Sequence, residues 1–472
     1  MPAYPDPELD AVLGGRLPHD LAYALGGPYH LLLPGRFDAN VAAFRAAFAE
    51  AGVDGRVYYA KKANKAAVWI ERCAAHGIGT DVASLGELRE ALGHGVRGED
   101  TVVTGPAKSD DLLRVAVLQG CLVAVDALDE LERITATARA TGRTARVLLR
   151  RLPPEQPHSR FGLTGGELGT ALDRCRADDG AVRVEGFSFH LSGYAVQPRA
   201  DLAGELVELC RTARAMGLSA DRISIGGGFA VDYVAAGDWA RFLEAHDPAD
   251  YHARKSFNVG DFYPYHSPVA GADALRAVLA ARPGGTGAPL ADRLRAAGVT
   301  LLVEPGRALL DRAGCTVFRV QGVKERGTPA GTGYGILTVD GTSLSLSEQW
   351  FNSEYLPDPV LLPAADRPTD RAADRPADGR TPADDPADDP AGTPFRACVG
   401  GASCLESDLL TWRKIAFPVR PAPGDLLVYP NTAGYQMDSN ESPFHDLPLP
   451  PKVVIETTGE QPRWRLDRRP PS

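Results

Sequence analysis

The sequence predicts a (β/α)8 barrel joined to a second, mainly β domain. Three observations carry this. Short β-branched runs alternate with Ala-rich amphipathic stretches from residue 57 to residue 306, the pattern of a parallel barrel. Beyond residue 310 strand-like runs follow one another without helices of comparable length. The chain has 472 residues, about three times the ~150 expected of one domain.

The eight expected barrel strands are Val57–Lys62, Ile78–Ser84, Thr101–Gly105, Leu122–Ala127, Arg146–Leu152, Val184–Ser192, Arg222–Gly228 and Thr300–Gly306. Stretches such as Ser84–Leu92 and Leu202–Ala215 carry the helical spacing between them. A doubly wound open sheet is the competing architecture, but no strand-to-helix turn carries the GxGxxG that would support it. Cys315–Val323, Gly335–Leu346, Phe395–Val399, Asp425–Tyr429 and Lys452–Glu456 read as strands of the second domain, and Tyr29–Leu33 as one that joins it. The expected division is a barrel over residues 41–312 and a β domain from residues 1–40 and 313–472. Within the latter, residues 363–394 hold two ADRP and two ADDP repeats and no apolar side chain larger than Ala except proline. Such a stretch cannot bury enough apolar surface to order itself and reads as a disordered insertion.

Composition narrows the function. The net charge is −10, which argues against nucleic-acid binding and against a basic membrane-surface role. No apolar stretch approaches the ~18–20 residues of a membrane span, and the acidic, Pro-rich start lacks a secretory pattern. Seven cysteines without CxxC or Cys/His spacing argue against disulfides and a structural metal. A reducing cytoplasm is the expected setting. Only eight of the 51 basic residues are lysines, and three of these, Lys61, Lys62 and Lys65, lie within five residues.

Barrel enzymes place their chemistry at the C-terminal strand ends, and here those ends carry an unusual set. The first strand ends in Lys61-Lys62-Ala63-Asn64 and the second contains Asp81. The sixth ends in His190-Leu191-Ser192-Gly193, the seventh in Gly226-Gly227-Gly228, and the eighth in Glu304-Pro305-Gly306-Arg307. A lysine amine can hold an aldehyde as a Schiff base. A carboxylate can keep a pyridine nitrogen protonated, so that the ring withdraws electrons. Glycines bare backbone N–H groups to a phosphate, an arginine adds a further contact, and a histidine can stack on a flat ring. Together these describe a site for pyridoxal 5'-phosphate.

The same residues resemble a known family, the fold-type III pyridoxal-phosphate decarboxylases of the diaminopimelate/ornithine/arginine group. Tyr59-Ala60-Lys61-Lys62-Ala63-Asn64 is similar to the YAxKAN signature, and Asp81-Val82-Ala83-Ser84 with Gly86-Glu87-Leu88 to the DVAS-GEL segment. Ser159-Arg160-Phe161-Gly162, Ile225–Phe229, Glu304–Arg307, Cys404-Leu405-Glu406-Ser407-Asp408 and Ala433-Gly434-Tyr435 resemble later family motifs in the same order. The resemblance implies an alanine-racemase-like barrel with a C-terminal Greek-key-like β domain, and a homodimer with shared active sites. It implies Lys62 as the Schiff-base lysine, His190 on the cofactor ring and Glu304 at the pyridine nitrogen. Asp81, Ser192, Gly226, Gly227, Gly228, Gly306, Arg307 and Tyr435 would complete the cofactor site. Cys404 would act from the partner subunit as the acid that protonates the carbanion, and Glu406, Asp408 and Arg160 would contact the amino-acid substrate.

Two motifs depart from the family pattern. The histidine motif, usually H-x-G-S, has its serine one position early at Ser192, and Leu405 stands where an acidic residue usually follows the cysteine. The long segment between the seventh and eighth strands carries the aromatic run Phe257–His266, a candidate for core packing or for a substrate-covering loop. These differences suit a divergent branch of natural-product rather than lysine metabolism. Two other readings stand beside decarboxylation. Racemisation or epimerisation at Cα is disfavoured by Glu304, since the racemase type uses an arginine there. A catalytically silent binding protein is disfavoured by the presence of both Lys62 and Cys404.

Overall fold

Eight parallel strands close into a barrel in the computed structural model of the chain, which describes residues 1–327, 333–346, 352–364, 394–440, 442–456 and 462–467. The strand preceding the barrel is β1 (Tyr29–Leu32). The barrel strands are β2 (Gly55–Ala60), β3 (Gly79–Val82), β4 (Thr101–Val103), β5 (Leu122–Val125), β6 (Ala145–Arg150), β7 (Val182–Ser188), β8 (Arg222–Ser224) and β9 (Thr300–Val303). Closure is made by β2 against β9, with Gly55, Arg56 and Val57 opposite Leu301, Leu302 and Val303. All eight expected strands are present, each ending two to four residues earlier than expected.

The period of two explains the burial. Tyr58, Val102, Leu122, Leu148 and Leu302 form one small apolar cluster. Their chain neighbours Val57, Tyr59, Val103, Val123, Val147, Leu149, Leu301 and Val303 join a second, larger cluster with the surrounding helices. Alternate residues thus fill the barrel and line its outside. Near the strand starts, Arg146 and Arg222 converge on the buried Glu185 carboxylate, at 2.7 Å and 3.0 Å. That end is closed by an ion-pair network, which leaves the other end for chemistry. A register shift between β6 and β7 brings Gly186 opposite Leu148. At Gly186 (φ 154°) a Cβ would collide with the Arg222 carbonyl, so glycine is required for β7 and β8 to pair.

Among the described residues the second sheet has nine strands, with β1 antiparallel to β10 (Gly314–Arg326) and parallel to β16 (Lys452–Glu456). It also holds β11 (Tyr334–Val339), β12 (Val360–Leu362), β13 (Phe395–Gly400), β14 (Leu409–Phe417), β15 (Leu426–Pro430) and β17 (Arg463–Leu466). The N-terminal helices Pro7–Leu13 and Leu17–Leu25 pack on β1, β10, β15 and β16 through Leu9, Val12, Leu21 and Ala22. Three strands, β12, β14 and β17, are absent from the sequence reading. In β14 the charges of Arg413 and Lys414 break the apolar run, and Arg413 is held by Glu354 and Asp358. Residues 365–393 of the expected disordered insertion lie outside the described residues.

The turn after β15 carries the second sheet to the barrel mouth. Tyr435 N–H donates to the Ala63 carbonyl at 2.7 Å, and the Asn64 amide donates to the Ala433 carbonyl at 2.9 Å. Tyr435 sits at φ 75°, a left-handed geometry that costs a non-glycine residue free energy and is held by these contacts.

Candidate active site

The three clustered lysines have different fates. Lys61 is fully buried and ion-paired with Glu90. Lys65 donates its ammonium to the Asp438 carbonyl at 3.2 Å. Lys62 is half exposed, with Nζ 3.3 Å from Asp81 Oδ2. Of the three, only Lys62 lines the cavity at the barrel mouth. Asp81 is itself buried and accepts the Thr104 hydroxyl at 2.6 Å on its other oxygen. Its negative charge, outweighing desolvation, holds the Lys62 ammonium well above the usual lysine range.

The cavity measures about 330 Å³ and gathers Lys62, His190, Ser192, Gly227, Gly228, Glu304, Gly306, Arg307 and Tyr435. Gly226 stands directly behind it, where a Cβ would come within 2.6 Å of His190 Nδ1. Glu304 is buried and accepts the Ser224 hydroxyl at 2.6 Å. Burial, reinforced by the Asp81 charge, raises its pKa to about 7. His190 accepts the Gly227 N–H on Nδ1 at 3.4 Å. Desolvation, then the Lys62 charge, lowers its pKa to about 4, so the imidazole is neutral near pH 7. The Arg307 guanidinium lies between two aromatic faces, 4.0 Å from the Tyr263 ring and 4.8 Å from the Tyr435 ring. It also donates to the Gly434 carbonyl at 2.8 Å and to Gln436 Oε1 at 3.1 Å.

Besides Asp81 and Gly226, which do not line it, four expected residues lie outside this cavity. Arg160 lines a neighbouring pocket of about 480 Å³ with Arg150, His158 and Phe161, which meets the first at His190 and Ser192. The Phe161 ring is stacked between Arg150 and Arg160, each 4.4 Å from its centre. Cys404 is exposed in the second sheet's loop, its N–H donating to His445 Nε2 at 3.4 Å, with Glu406 exposed beside it. Asp408 is buried and accepts the Ser343 and Ser403 amides at 2.8 Å and 3.1 Å, which shapes the loop.

Sequence reading missed Thr104, Ser224 and Arg199. Of the aromatic run, Phe257, Phe262 and Tyr265 pack in the core of the second sheet, while Tyr263 also reaches the cavity. Arg199 left one legible sign. It shares a helical stripe with Leu202, Ala203, Leu206 and Cys210, all buried, where a basic residue is out of place.

The donor set fits pyridoxal phosphate. An amine, a buried carboxyl and a bare glycine turn face one space, and at Gly306 a Cβ would press on Ala63 and the Tyr435 hydroxyl, both at 3.0 Å. Comparison with known proteins agrees. Residues 35–255 match the family model described as pyridoxal-dependent decarboxylase, pyridoxal binding domain. An uncharacterized protein of Sinorhizobium fredii, y4yA, is 37% identical over 449 residues, covering 95% of this chain and 92% of that protein.

The chain belongs to the pyridoxal-dependent decarboxylases.

Its cofactor is pyridoxal phosphate. Among other relatives, the diaminopimelate decarboxylase of Deinococcus radiodurans is 28% identical over 65% of this chain and 68% of that protein. The fold matches that of Helicobacter pylori diaminopimelate decarboxylase, solved with L-lysine, with a TM-score of 0.66. That match has 17% identity and covers 94% of this chain and 93% of the other. It also matches Vibrio vulnificus lysine/ornithine decarboxylase, solved with putrescine, with a TM-score of 0.64. Identity there is 20%, over 92% of this chain and 96% of the other. Among the described residues no helix is long and apolar enough to cross a membrane.

Proposed function

We propose that this decarboxylase acts at Cα of an amino acid or amino-acid conjugate, with Lys62 as the cofactor-binding amine and Cys404 as the proton donor from the partner subunit of a homodimer. The observation that carries the reading is the convergence of Lys62 and the buried Glu304 on one cavity, with Asp81 paired to Lys62. When bound, the pyridine ring of the cofactor supplies an electron sink for the pair left as the carboxylate departs.

The chain's own residues do the rest. Asp81 Oδ2 holds and orients the Lys62 ammonium, whose proton must leave before Nζ can act as a nucleophile. Glu304 is costly to ionise where it lies, and it would be the residue to hold a positively charged ring nitrogen, which would offset that cost. This favours decarboxylation over racemisation, which calls for an arginine at that place. Neutral His190 offers a flat face for the ring. Gly227, Gly228, Gly306, Arg307, Tyr435 and Ser192 surround the space for the phosphate.

Cys404 does not line its own chain's cavity, so its thiol would serve a neighbouring one. It would return the proton to Cα, with Glu406 toward the distal part of the substrate. A screen of L- and D-amino acids and citryl conjugates for CO2 release tests the reading. Release is expected only with added pyridoxal phosphate and not from Lys62→Ala. Loss of optical activity without CO2 would replace decarboxylation with racemisation.

A further inference from the structure

Helix Val196–Ala215 follows β7 and the loop that carries His190, and packs its apolar stripe against the barrel. Arg199 interrupts that stripe in the first turn and is 2% exposed. Among the described residues no carboxylate pairs with it. Its guanidinium instead donates to four backbone carbonyls from two loops. Nη1 reaches Ile225 at 3.0 Å and Gly227 at 2.6 Å, and Nη2 reaches Gly193 at 3.1 Å and Gly228 at 3.3 Å. Burial lowers its pKa only to about 10, so the group keeps its proton at neutral pH.

The geometry of the peptide unit gives these contacts a consequence. In a planar trans peptide the C=O and the following N–H point in opposite directions. Carbonyls of Gly227 and Gly228 turned toward Arg199 therefore turn the N–H groups of Gly228 and Phe229 away from it. Gly227, Gly228 and Phe229 all line the cavity, and among the described residues neither of those amides has a protein acceptor. Behind the loop sits a buried positive charge that no acid neutralises. Two amides and a cation aligned on one space make an anion site. Lysine could not reproduce it, because a point charge on a flexible stem cannot span four carbonyls as a guanidinium does.

We infer that Arg199 is a positioning residue for the cofactor's phosphate: it sets the orientation of the 227–229 peptides and places a buried cation behind them. The inference rests on the cavity being the pyridoxal-phosphate site. Gly228 marks how close the fit is, since a Cβ there would come 2.5 Å from Arg199 Nη2.

The test compares two ligands that differ only in the phosphate. Wild-type chain, Arg199→Met and Arg199→Lys are stripped of cofactor and titrated with pyridoxal phosphate and with pyridoxal by absorbance. Both variants should lose affinity for pyridoxal phosphate by about ten-fold or more, while pyridoxal affinity changes by less than about two-fold. Inorganic phosphate should strengthen pyridoxal binding to the wild type, and this gain should shrink in Arg199→Lys. Equal losses for both ligands would reduce Arg199 to a structural role, and unchanged pyridoxal phosphate affinity would overturn the inference. Should Arg199→Met fail to fold, Arg199→Lys and the phosphate effect still decide it. A wild-type chain that binds pyridoxal phosphate no better than pyridoxal would instead sink the site reading, and this inference with it.

Discussion

Ser224 donates its hydroxyl to the Glu304 carboxylate across 2.6 Å, and both side chains are buried at the foot of the cavity. Burial and Asp81 raise the Glu304 pKa from 4.5 to about 7, and the Ser224 hydrogen bond is the chief influence opposing them. The folded chain therefore holds this proton more tightly than the unfolded chain does. The resulting stability is fully present below about pH 4.5 and is lost as pH rises toward about 7. Thermal unfolding of cofactor-free protein across that range should show the loss. Glu304→Gln should flatten the Glu304 share of it, and Ser224→Ala should extend the loss above pH 7. A Glu304→Gln profile that parallels the wild type would disprove the assignment.

Lys61 and Lys62 are adjacent in sequence and opposite in role. Lys61 is buried against Glu90, whereas Lys62 opens to the cavity over Asp81. Lys62→Ala should abolish covalent capture of the cofactor by borohydride, read by peptide mapping. Lys61→Ala should keep that capture and cost about 1–3 kcal/mol of stability, because it strands a partly buried carboxylate. Label found on Lys61 in the wild type would reverse the two roles.

Much of this was legible in the sequence, and the gaps have physical causes. The barrel strands announce themselves where both faces are buried and the run is apolar, as in Leu122–Val125 and Thr300–Val303. The rim residues Lys62, His190, Glu304 and Arg307 follow from strand ends alone, and they meet in one cavity. Ser224 left no sign and Arg199 only a basic residue in an apolar stripe, since each acts through a neighbour that only the folded chain supplies. β14 was hidden by Arg413, whose charge is satisfied by Glu354, a partner 59 residues away. Asp408 looks like a substrate contact in sequence; in the fold its carboxylate accepts the Ser403 amide of its own loop and the Ser343 amide, 65 residues earlier in the chain.

Gly228 sits at φ 78° with no room for a Cβ beside Arg199. Gly228→Ala should therefore strain the backbone by about 1–3 kcal/mol and displace the 227–229 peptides. Pyridoxal phosphate affinity should fall with stability. Gly237→Ala is the control. That glycine lies in helix Ala236–Glu244 with open space around it, and alanine there should be neutral or slightly stabilising. Matching effects from the two changes would remove the phosphate loop from the explanation.

Sharing of the active site between subunits has a sharp test in mixed dimers. Lys62→Ala and Cys404→Ala should each be nearly inactive alone. If Cys404 acts across the interface, a dimer of one of each variant has one site that lacks both groups and one that lacks neither. Random exchange at equal concentrations makes half of the dimers mixed, each with one intact site, so activity should recover to about a quarter of the wild-type value. If Cys404 serves its own chain's cavity, every site in the mixture lacks one group and no activity returns. Sedimentation of the wild type supplies the companion measurement, since a monomer with full turnover would exclude a shared site outright. Recovery near a quarter would place the exposed Cys404 thiol and the loop anchored by Asp408 in the partner's reaction.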